Sequence, residues 1–572
     1  MITEIMWRFL AANFLGLLFF ISSSSSEKAP YYTFVRDATL AHPTSYYDYI
    51  IIGGGTSGCA LAATLSESSK VLLLERGGLP YGDPNIMNIR GFAATLSNTS
   101  PRSPSQLFIS TDGVFNHRAR VLGGGSALNA GFFTRASSGY VSRVGWDPTL
   151  VRESYEWVER KVAFEPPVLR WQSAVRGGLL EAGVEPYNGF TFEHLNGTKI
   201  GGTIFDQNGY RHTAADLLEY ANPSLITVYL HATVQKILFI TRGLPKPRAY
   251  GVVFKDKNGN KHLALLNSGP KNEVILSAGA IGSPQILMLS GIGPAQELIA
   301  HGIRVILNQP MVGQGLSDNP MNAVLIPSPR PVETSLIQVV GITQYGSFIE
   351  AASGPAGFSW ISTFASIFNQ LTNQTSRPFT VMSNKTTSVQ MGKKLSTNKY
   401  VGIILQKIKG PLSTGYLKLQ TTNPDDNPKV TFNYFDNPLD LERCVQGIKI
   451  IRRVIESKSF SSFKYFFQNA KDLTDDMLYV PMNLRPKHVS ATFSEEQYCK
   501  DTVMTIWHYH GGCQMDRVVD SNYRVIGAES LRVIDGSTFY ASPGTNPQAT
   551  VMMLGRYMGQ RILRERSWGR KE

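Results

Sequence analysis

An α/β fold is predicted, on three grounds. Asp48-Tyr-Ile-Ile-Ile52 and Val71-Leu-Leu-Leu74 are short apolar runs bounded by turn residues, the pattern of strands buried on both faces of a parallel sheet. Between them the chain passes through Gly53-Gly-Gly55-Thr-Ser-Gly58 into Cys59 to Leu65, an apolar segment that reads as a helix. A strand-to-helix passage recurs in Val274-Ile-Leu-Ser-Ala278 followed by Gly279-Ala-Ile-Gly-Ser283-Pro284, where Ser-Pro predicts a helix start and Gly291 its stop. Composition agrees: 42% hydrophobic and 17% charged residues exclude a disordered chain, and four cysteines in 572 residues exclude a disulfide-dense miniprotein. At roughly 100–200 residues per domain, two or more domains are expected.

The N-terminus reads as a processing signal. Arg8 precedes thirteen mostly apolar residues, Phe9 to Ile21, and then Ser22–Ser26. A bilayer span needs about 20 apolar residues, so residues 1–26 predict a cleaved secretory signal rather than a transmembrane anchor. A buried first helix is the alternative, disfavoured by the Ser and Lys that follow at once. No other run approaches spanning length, and an exported protein is expected. Lys+Arg 56 against Asp+Glu 43 leaves a net charge of +13. These residues are spread rather than clustered, apart from Arg564, Arg566, Arg570 and Lys571, so nucleic acid is not the expected partner. Solubility on an acidic background, such as a polyanionic matrix, fits better.

Export permits disulfides, and Cys59, Cys444, Cys499 and Cys513 allow three full pairings that sequence alone does not choose between. Cys59 and Cys513 lie inside glycine-rich motifs, which favours Cys444 with Cys499. Sequons at Asn98, Asn196, Asn373 and Asn384 suit a secreted surface, though weakly.

The first motif is strand, G-x-G-x-x-G, helix, strand, acid: a Rossmann-like dinucleotide cradle. Gly53 permits the tight turn, Gly55 lets the backbone approach a pyrophosphate, and Gly58 lets helix and strand pack closely. The helix start supplies N–H donors and the positive end of its dipole. Glu75, 22 residues after Gly53, is placed for the adenosine ribose. The motif does not separate NAD from FAD, but its place at the start of the mature chain suits a flavoprotein. Arg120-Val-Leu-Gly123-Gly-Gly-Ser126-Ala-Leu-Asn129-Ala-Gly-Phe132 is a second glycine-rich loop, its bare N–H groups suited to an anionic or carbonyl-bearing ligand.

These last segments, the loop from Arg120 and the passage from Val274 to Gly293, resemble the two signature patterns of the glucose–methanol–choline (GMC) flavin oxidoreductases. The resemblance runs from about Tyr46 to Met558. The wording of Trp507-His508-Tyr-His-Gly-Gly512 and Gly544-Thr-Asn-Pro-Gln-Ala-Thr550 is similar to the plant HOTHEAD-like branch, close to the plant mandelonitrile lyases. The resemblance implies FAD. Thr56 and Ser57, with the glycines, would meet the pyrophosphate, and Glu75 and Arg76 the adenosine end. Val121, Gly125, Asn129, Ala130, Gly131 and Phe132 would line the flavin. Val234, in the strand-like region Ile226–Phe239, would meet adenine through its backbone. Trp507, His508, Asp535, Gly536, Asn546, Pro547 and Gln548 complete the implied cofactor set. Some choline-oxidising members attach FAD through a histidine just before the asparagine; here Leu128 stands there, so non-covalent FAD is expected. Plant lyases of the family carry a bridge at the spacing of Cys444 and Cys499.

Alcohol oxidation needs a base for the hydroxyl proton, and an imidazole suits that role at neutral pH. The resemblance assigns it to His508. The usual partner, 38 residues on, is a histidine or an asparagine; here Asn546 can hold the substrate oxygen and the flavin edge but takes no proton. His508, His510 and Cys513 also read as H-x-H-x-x-C metal ligands, with the two histidines on one face if the segment is an extended strand. No fourth ligand sits at a recognisable spacing, and no metal is expected. His510 and Cys513 read as packing residues.

The nucleotide-binding pieces fall in 46–155, 225–305 and 500–565, a discontinuous FAD-binding domain. Residues 156–224 and 306–499 would form an α+β substrate domain built, by analogy, on an antiparallel sheet backed by helices. Region 325–430, with Phe358, Trp360 and Phe364, fits strands and loops over a pocket. Expected, then, is a secreted, monomeric FAD-dependent oxidoreductase acting on the CH–OH group of a small-molecule alcohol. The branch implies long-chain ω-hydroxy fatty acids. A hydroxynitrile lyase with structural FAD is the rival, disfavoured by Asn546. An inert FAD-binding protein is the third reading, against which His508 stands.

Overall fold

Short strands whose every residue is buried must be covered on both faces, and four such strands lie side by side in the first sheet. A computed structural model describes residues 29–354 and 400–568. The elements below belong to the compact unit that begins at Thr33. The first sheet is six-stranded and parallel throughout: β1 (Val35–Asp37), β2 (Tyr49–Ile52), β3 (Val71–Leu74), β4 (Ile226–Leu230), β5 (Glu273–Leu276) and β6 (Leu531–Val533), in the spatial order β1-β4-β3-β2-β5-β6. Every residue of β2, β3, β5 and β6 is buried. Ile52 is level with Leu74 and with Leu276, and Leu276 with Val533. The chain therefore leaves these four strands at one edge, where ligands of open α/β sheets bind.

Helix α1 (Gly58–Leu65) follows β2 and is buried on all sides. Helix α2 (Gly279–Leu289) follows β5 and corrects one expectation. It starts at Gly279, not at Ser283-Pro284, and Pro284 lies inside it. The reason is tertiary. The N–H of Gly279 donates to Asp535 Oδ2 (2.9 Å) and that of Ala278 to Ser283 Oγ (3.1 Å), so the open helix end is satisfied four residues early. Gly291, at φ +89°, ends the helix as expected. The region Ile226–Phe239 is also not one strand: β4 ends at Leu230, and Thr233–Ile240 enters a separate four-stranded sheet.

A seven-stranded sheet takes its strands from Met504–Thr505, Pro320–Pro327, Val401–Ile408, Ser347–Ser353, Val339–Ile342, Gly197–Ile200 and Tyr187–Phe190, in that order. All its pairings are antiparallel except the last. Helix α3 (Pro438–Glu456) and the helix Arg170–Glu181 back it: a Cβ at Gly447 would press on Gln406, and one at Gly402 would enter the indole of Trp171. Cys444 on α3 is bridged to Cys499, with Cα atoms 6.3 Å apart, while Cys59 and Cys513 are free and buried. The C-terminal helix α4 (Gln548–Trp568) lies on α1, where Gly555 and Gly559 let the two backbones approach. Asn98 and Asn196 are exposed. The signal segment, Phe358, Trp360, Phe364, Asn373, Asn384, Arg570 and Lys571 lie outside the described residues. Among the described residues, no helix is long and apolar enough to cross a membrane.

Candidate active site

A cavity of about 330 Å³ opens where β2, β3, β5 and β6 end. Its lining contains every residue singled out as cofactor-binding in the sequence except Gly58. That glycine packs instead: a Cβ there would strike the carbonyl oxygen of Gly53. Gly53 takes φ +104°, which a side chain tolerates poorly. A Cβ at Gly55 would meet no protein atom closer than 3.7 Å, so the space it faces belongs to the cavity. The second glycine loop lies on the first, with Gly123 N donating to Gly54 O (2.7 Å). Thr56 and Ser57 line the same stretch, and Ser57 Oγ is buried without a partner.

Glu75 is 5% exposed and accepts from the N–H groups of Gly54 (2.9 Å) and Gly77 (2.7 Å). Burial pushes its carboxyl up, against those N–H groups and the adjacent Arg76. Arg76 donates through Nη2 to Ala119 O (3.0 Å), leaves Nη1 buried without a partner, and is brought by burial to about 10. Val121, Gly125 and Val234 complete this end.

Towards the other end run Leu128, Asn129, Ala130, Gly131 and Phe132. Asn129 Nδ2 donates to Gln548 Oε1 (2.7 Å), and Gln548 Nε2 to Phe132 O (2.7 Å), tying this loop to the first turn of α4. Asp535, buried and with its carboxyl pushed up by that burial, accepts from Gly279 N, Ser283 Oγ (2.5 Å) and Ser537 N (2.8 Å). Gly536 and Pro547 line the wall beside it.

His508 and Asn546 line the far end and are 8% and 7% exposed. His508 Nδ1 and Asn546 Oδ1 are buried with no hydrogen-bond partner, the condition of groups that await a ligand. Burial, then the charge of Lys407, then His510, hold the His508 imidazole well below its ordinary 6.5, so it is neutral at physiological pH. Asn546 adjoins Glu350, whose carboxylate pairs with Lys407 at 2.8 Å, both side chains wholly buried. Burial pushes each partner toward neutrality and the other's charge opposes it. Breaking such a pair from one side costs about 3–5 kcal/mol.

His508 and His510 are not on an extended strand. The strand ends at Thr505, and Trp507 takes φ +59°, which turns the chain. His510 Nδ1 lies 2.9 Å from the carbonyl oxygen of His508, and Cys513 is buried. Among the described residues, no three His, Cys, Asp or Glu side chains are arranged to hold a metal ion.

Reading the sequence alone missed several residues. His117, Arg118, Gln285, Ile337 and Pro424 also line the cavity. Glu350 and Lys407 sit behind Asn546, and Asp318 behind His508. A charge inside a mostly apolar strand, as in Ser347–Ser353 and Val401–Ile408, was the available signal for the pair. For His117 and Arg118 there was none.

The lining fits a dinucleotide: a backbone cradle at Gly53–Gly55, unpartnered Ser57 Oγ and Arg76 Nη1 along it, and unpartnered His508 and Asn546 atoms beyond. Family models described as GMC oxidoreductase match residues 47–321 and 411–555. Protein HOTHEAD of Arabidopsis thaliana is 52% identical, over 91% of this chain and 89% of its own length. (R)-mandelonitrile lyase 1 of Prunus serotina is 40% identical, over 96% and 92%. The sinalpyl alcohol oxidase Nec3 of Nesocodon mauritianus is also 40% identical, over 98% and 96%. Among solved structures, formate oxidase of Aspergillus oryzae superposes with a TM-score of 0.70 at 19% identity, over 92% of this chain and 99% of that one. It shares the fold.

Proposed function

The chain belongs to the GMC oxidoreductase family, which makes it an FAD-dependent oxidoreductase, and from that premise we propose that it oxidises the CH–OH group of an apolar alcohol. The observation that carries the reading is the pair of buried, unpartnered polar atoms, His508 Nδ1 and Asn546 Oδ1, on the cavity that the dinucleotide turn also lines. Bound FAD supplies the acceptor for the hydride that leaves the carbinol carbon. The chain supplies the rest. His508, neutral in its buried setting, takes the hydroxyl proton as hydride departs. Asn546, beside Glu350, positions the substrate oxygen and takes no proton. Leu96, Phe132, Ile337 and Trp507 keep water from the reacting carbon.

Non-covalent FAD is part of the proposal, because Leu128 stands where an attaching histidine would be. So are export through residues 1–26, a monomeric state, and the division into an FAD-binding domain (46–155, 225–305, 500–565) and a substrate domain (156–224, 306–499). Long-chain ω-hydroxy fatty acids are the proposed substrates, on the likeness to Protein HOTHEAD and the apolar lining. The likeness to a mandelonitrile lyase keeps cyanohydrin cleavage as a second reading, against which Asn546 weighs.

Anaerobic addition of alcohols, ω-hydroxy fatty acids among them, should bleach the flavin absorbance. An oxidised flavin, together with cleavage of mandelonitrile, would establish the lyase instead. Acid denaturation should release the flavin into the supernatant.

A further inference from the structure

We propose that Asp318 is a positioning residue for this reaction, its buried carboxylate holding the strained turn that presents the imidazole of His508. The inference rests on the reading of His508 as the base.

Trp507 adopts the left-handed conformation, at φ +59°, immediately before His508. For a bulky aromatic residue that conformation is strained and persists only where the surroundings over-determine it. Asp318 is where that determination converges. Its Oδ1 accepts the backbone N–H of His508 at 2.8 Å. Its Oδ2 accepts the hydroxyl of Thr505 at 2.6 Å, and Thr505 Oγ1 in turn accepts the N–H of Trp507 at 2.7 Å. Both amides of the turn thus end at one carboxylate, one directly and one through a hydroxyl.

The flanks are fastened to the same segment. Before the turn, Thr505 and Met504 pair with Pro320 and Met321. After it, Ser317 and His510 exchange two backbone hydrogen bonds, at 2.8 and 2.9 Å. Residues 317–321 therefore grip the turn on both sides, with Asp318 between.

The chemistry requires a carboxylate rather than any polar group. Asp318 is 1% exposed, and the groups bonded to it are all donors: the hydroxyls of Thr505 and Tyr434 (2.6 Å) on Oδ2 and the N–H of His508 on Oδ1. An ionised carboxylate only accepts, and so meets all three. An asparagine of the same shape would aim an NH2 group at one or two of those donors. Burial raises the Asp318 carboxyl to about 7, and the hydrogen bonds from Thr505, Tyr434 and His508 pull against that rise.

The test is a double-mutant cycle read by the anaerobic flavin-reduction rate, with FAD content and melting temperature measured alongside. Asp318→Asn should keep FAD bound and slow reduction by roughly 10²-fold, as displacement of a catalytic group by about 1 Å does. Thr505→Val, nearly isosteric, should slow it by roughly tenfold, one hydrogen bond's worth. In a His508→Ala background neither substitution should slow reduction further, because each acts through that imidazole. A residue that merely stabilised the fold would slow both backgrounds equally, and that additive result would overturn the inference. So would wild-type rates in both single variants while His508→Ala is slow. Should Asp318→Asn not fold, Thr505→Val decides by the same criterion. An unchanged rate in His508→Ala alone overturns the base assignment, and this inference falls with it.

Discussion

The two ends of the cavity are built from different material. The dinucleotide end is mostly backbone: Gly53 at φ +104°, Gly55 with no protein atom closer than 3.7 Å to where a Cβ would stand, Gly58 against Gly53 O, and Glu75 bonded to the N–H groups of Gly54 and Gly77. The alcohol end is side chain and buried charge: His508 held from behind by Asp318, and Asn546 beside Glu350, which is itself paired with Lys407. The glycine turn and acid of the first lie within about 25 residues of sequence, Gly53 to Gly77, with Val121, Gly125 and Val234 added from outside it. The second gathers residues from positions 318 to 546. Backbone sites need glycines at fixed spacing; side-chain sites need only that distant positions meet.

If that division is real, changes at the two ends should fail differently. The largest effect is expected at the first. Gly58→Ala drives a Cβ into the Gly53 carbonyl and should abolish FAD binding, read as loss of the yellow chromophore from purified protein. Next is the bridge outside both ends. Replacing Cys444 and Cys499 with alanine should cost about 4 kcal/mol of stability for a separation of 55 residues, seen in denaturant unfolding, with flavin reduction at 25 °C unchanged.

Smaller effects sharpen the alcohol end. Asn546→Ala should slow flavin reduction by about tenfold to a hundredfold with FAD retained, the worth of one hydrogen bond to the reacting oxygen. Asn546→His should largely restore the rate. The pH profile follows from the sign of the shift: protonation disables the base, and burial with Lys407 depresses the His508 pKa. The His508 ring should therefore contribute no acid limb at 6.5; the limb near 7 belongs to protonation of Asp318 and should vanish from the profile of Asp318→Asn. A limb at 6.5 that persists in Asp318→Asn would contradict the buried, neutral imidazole. The smallest effect belongs to His510→Ala, whose ring bonds only a backbone carbonyl among the described contacts.

The same contrast explains what was legible in the sequence. The strand Val71–Leu74, helix α1 to its last residue and the helix stop at Gly291 could be read because composition and spacing are local causes. The start of α2 could not, since the groups that satisfy it include Asp535, 256 residues away. Ile226–Phe239 reads as one strand-like region because nothing local marks that its halves enter different sheets. Asp318 lies in Gly313-Gln-Gly-Leu-Ser-Asp318, a stretch with no periodicity, and only the donors that reach it, Thr505, Tyr434 and His508, give it meaning.

The central claim is that proton removal at His508 and cofactor binding at Gly53–Arg76 are separable. Single-turnover anaerobic flavin reduction in His508→Ala, with FAD stoichiometry measured on the same sample, tests it most directly. The rate should fall by roughly 10²–10⁴ while each chain still carries one FAD. An undiminished rate, or FAD lost along with activity, would contradict it.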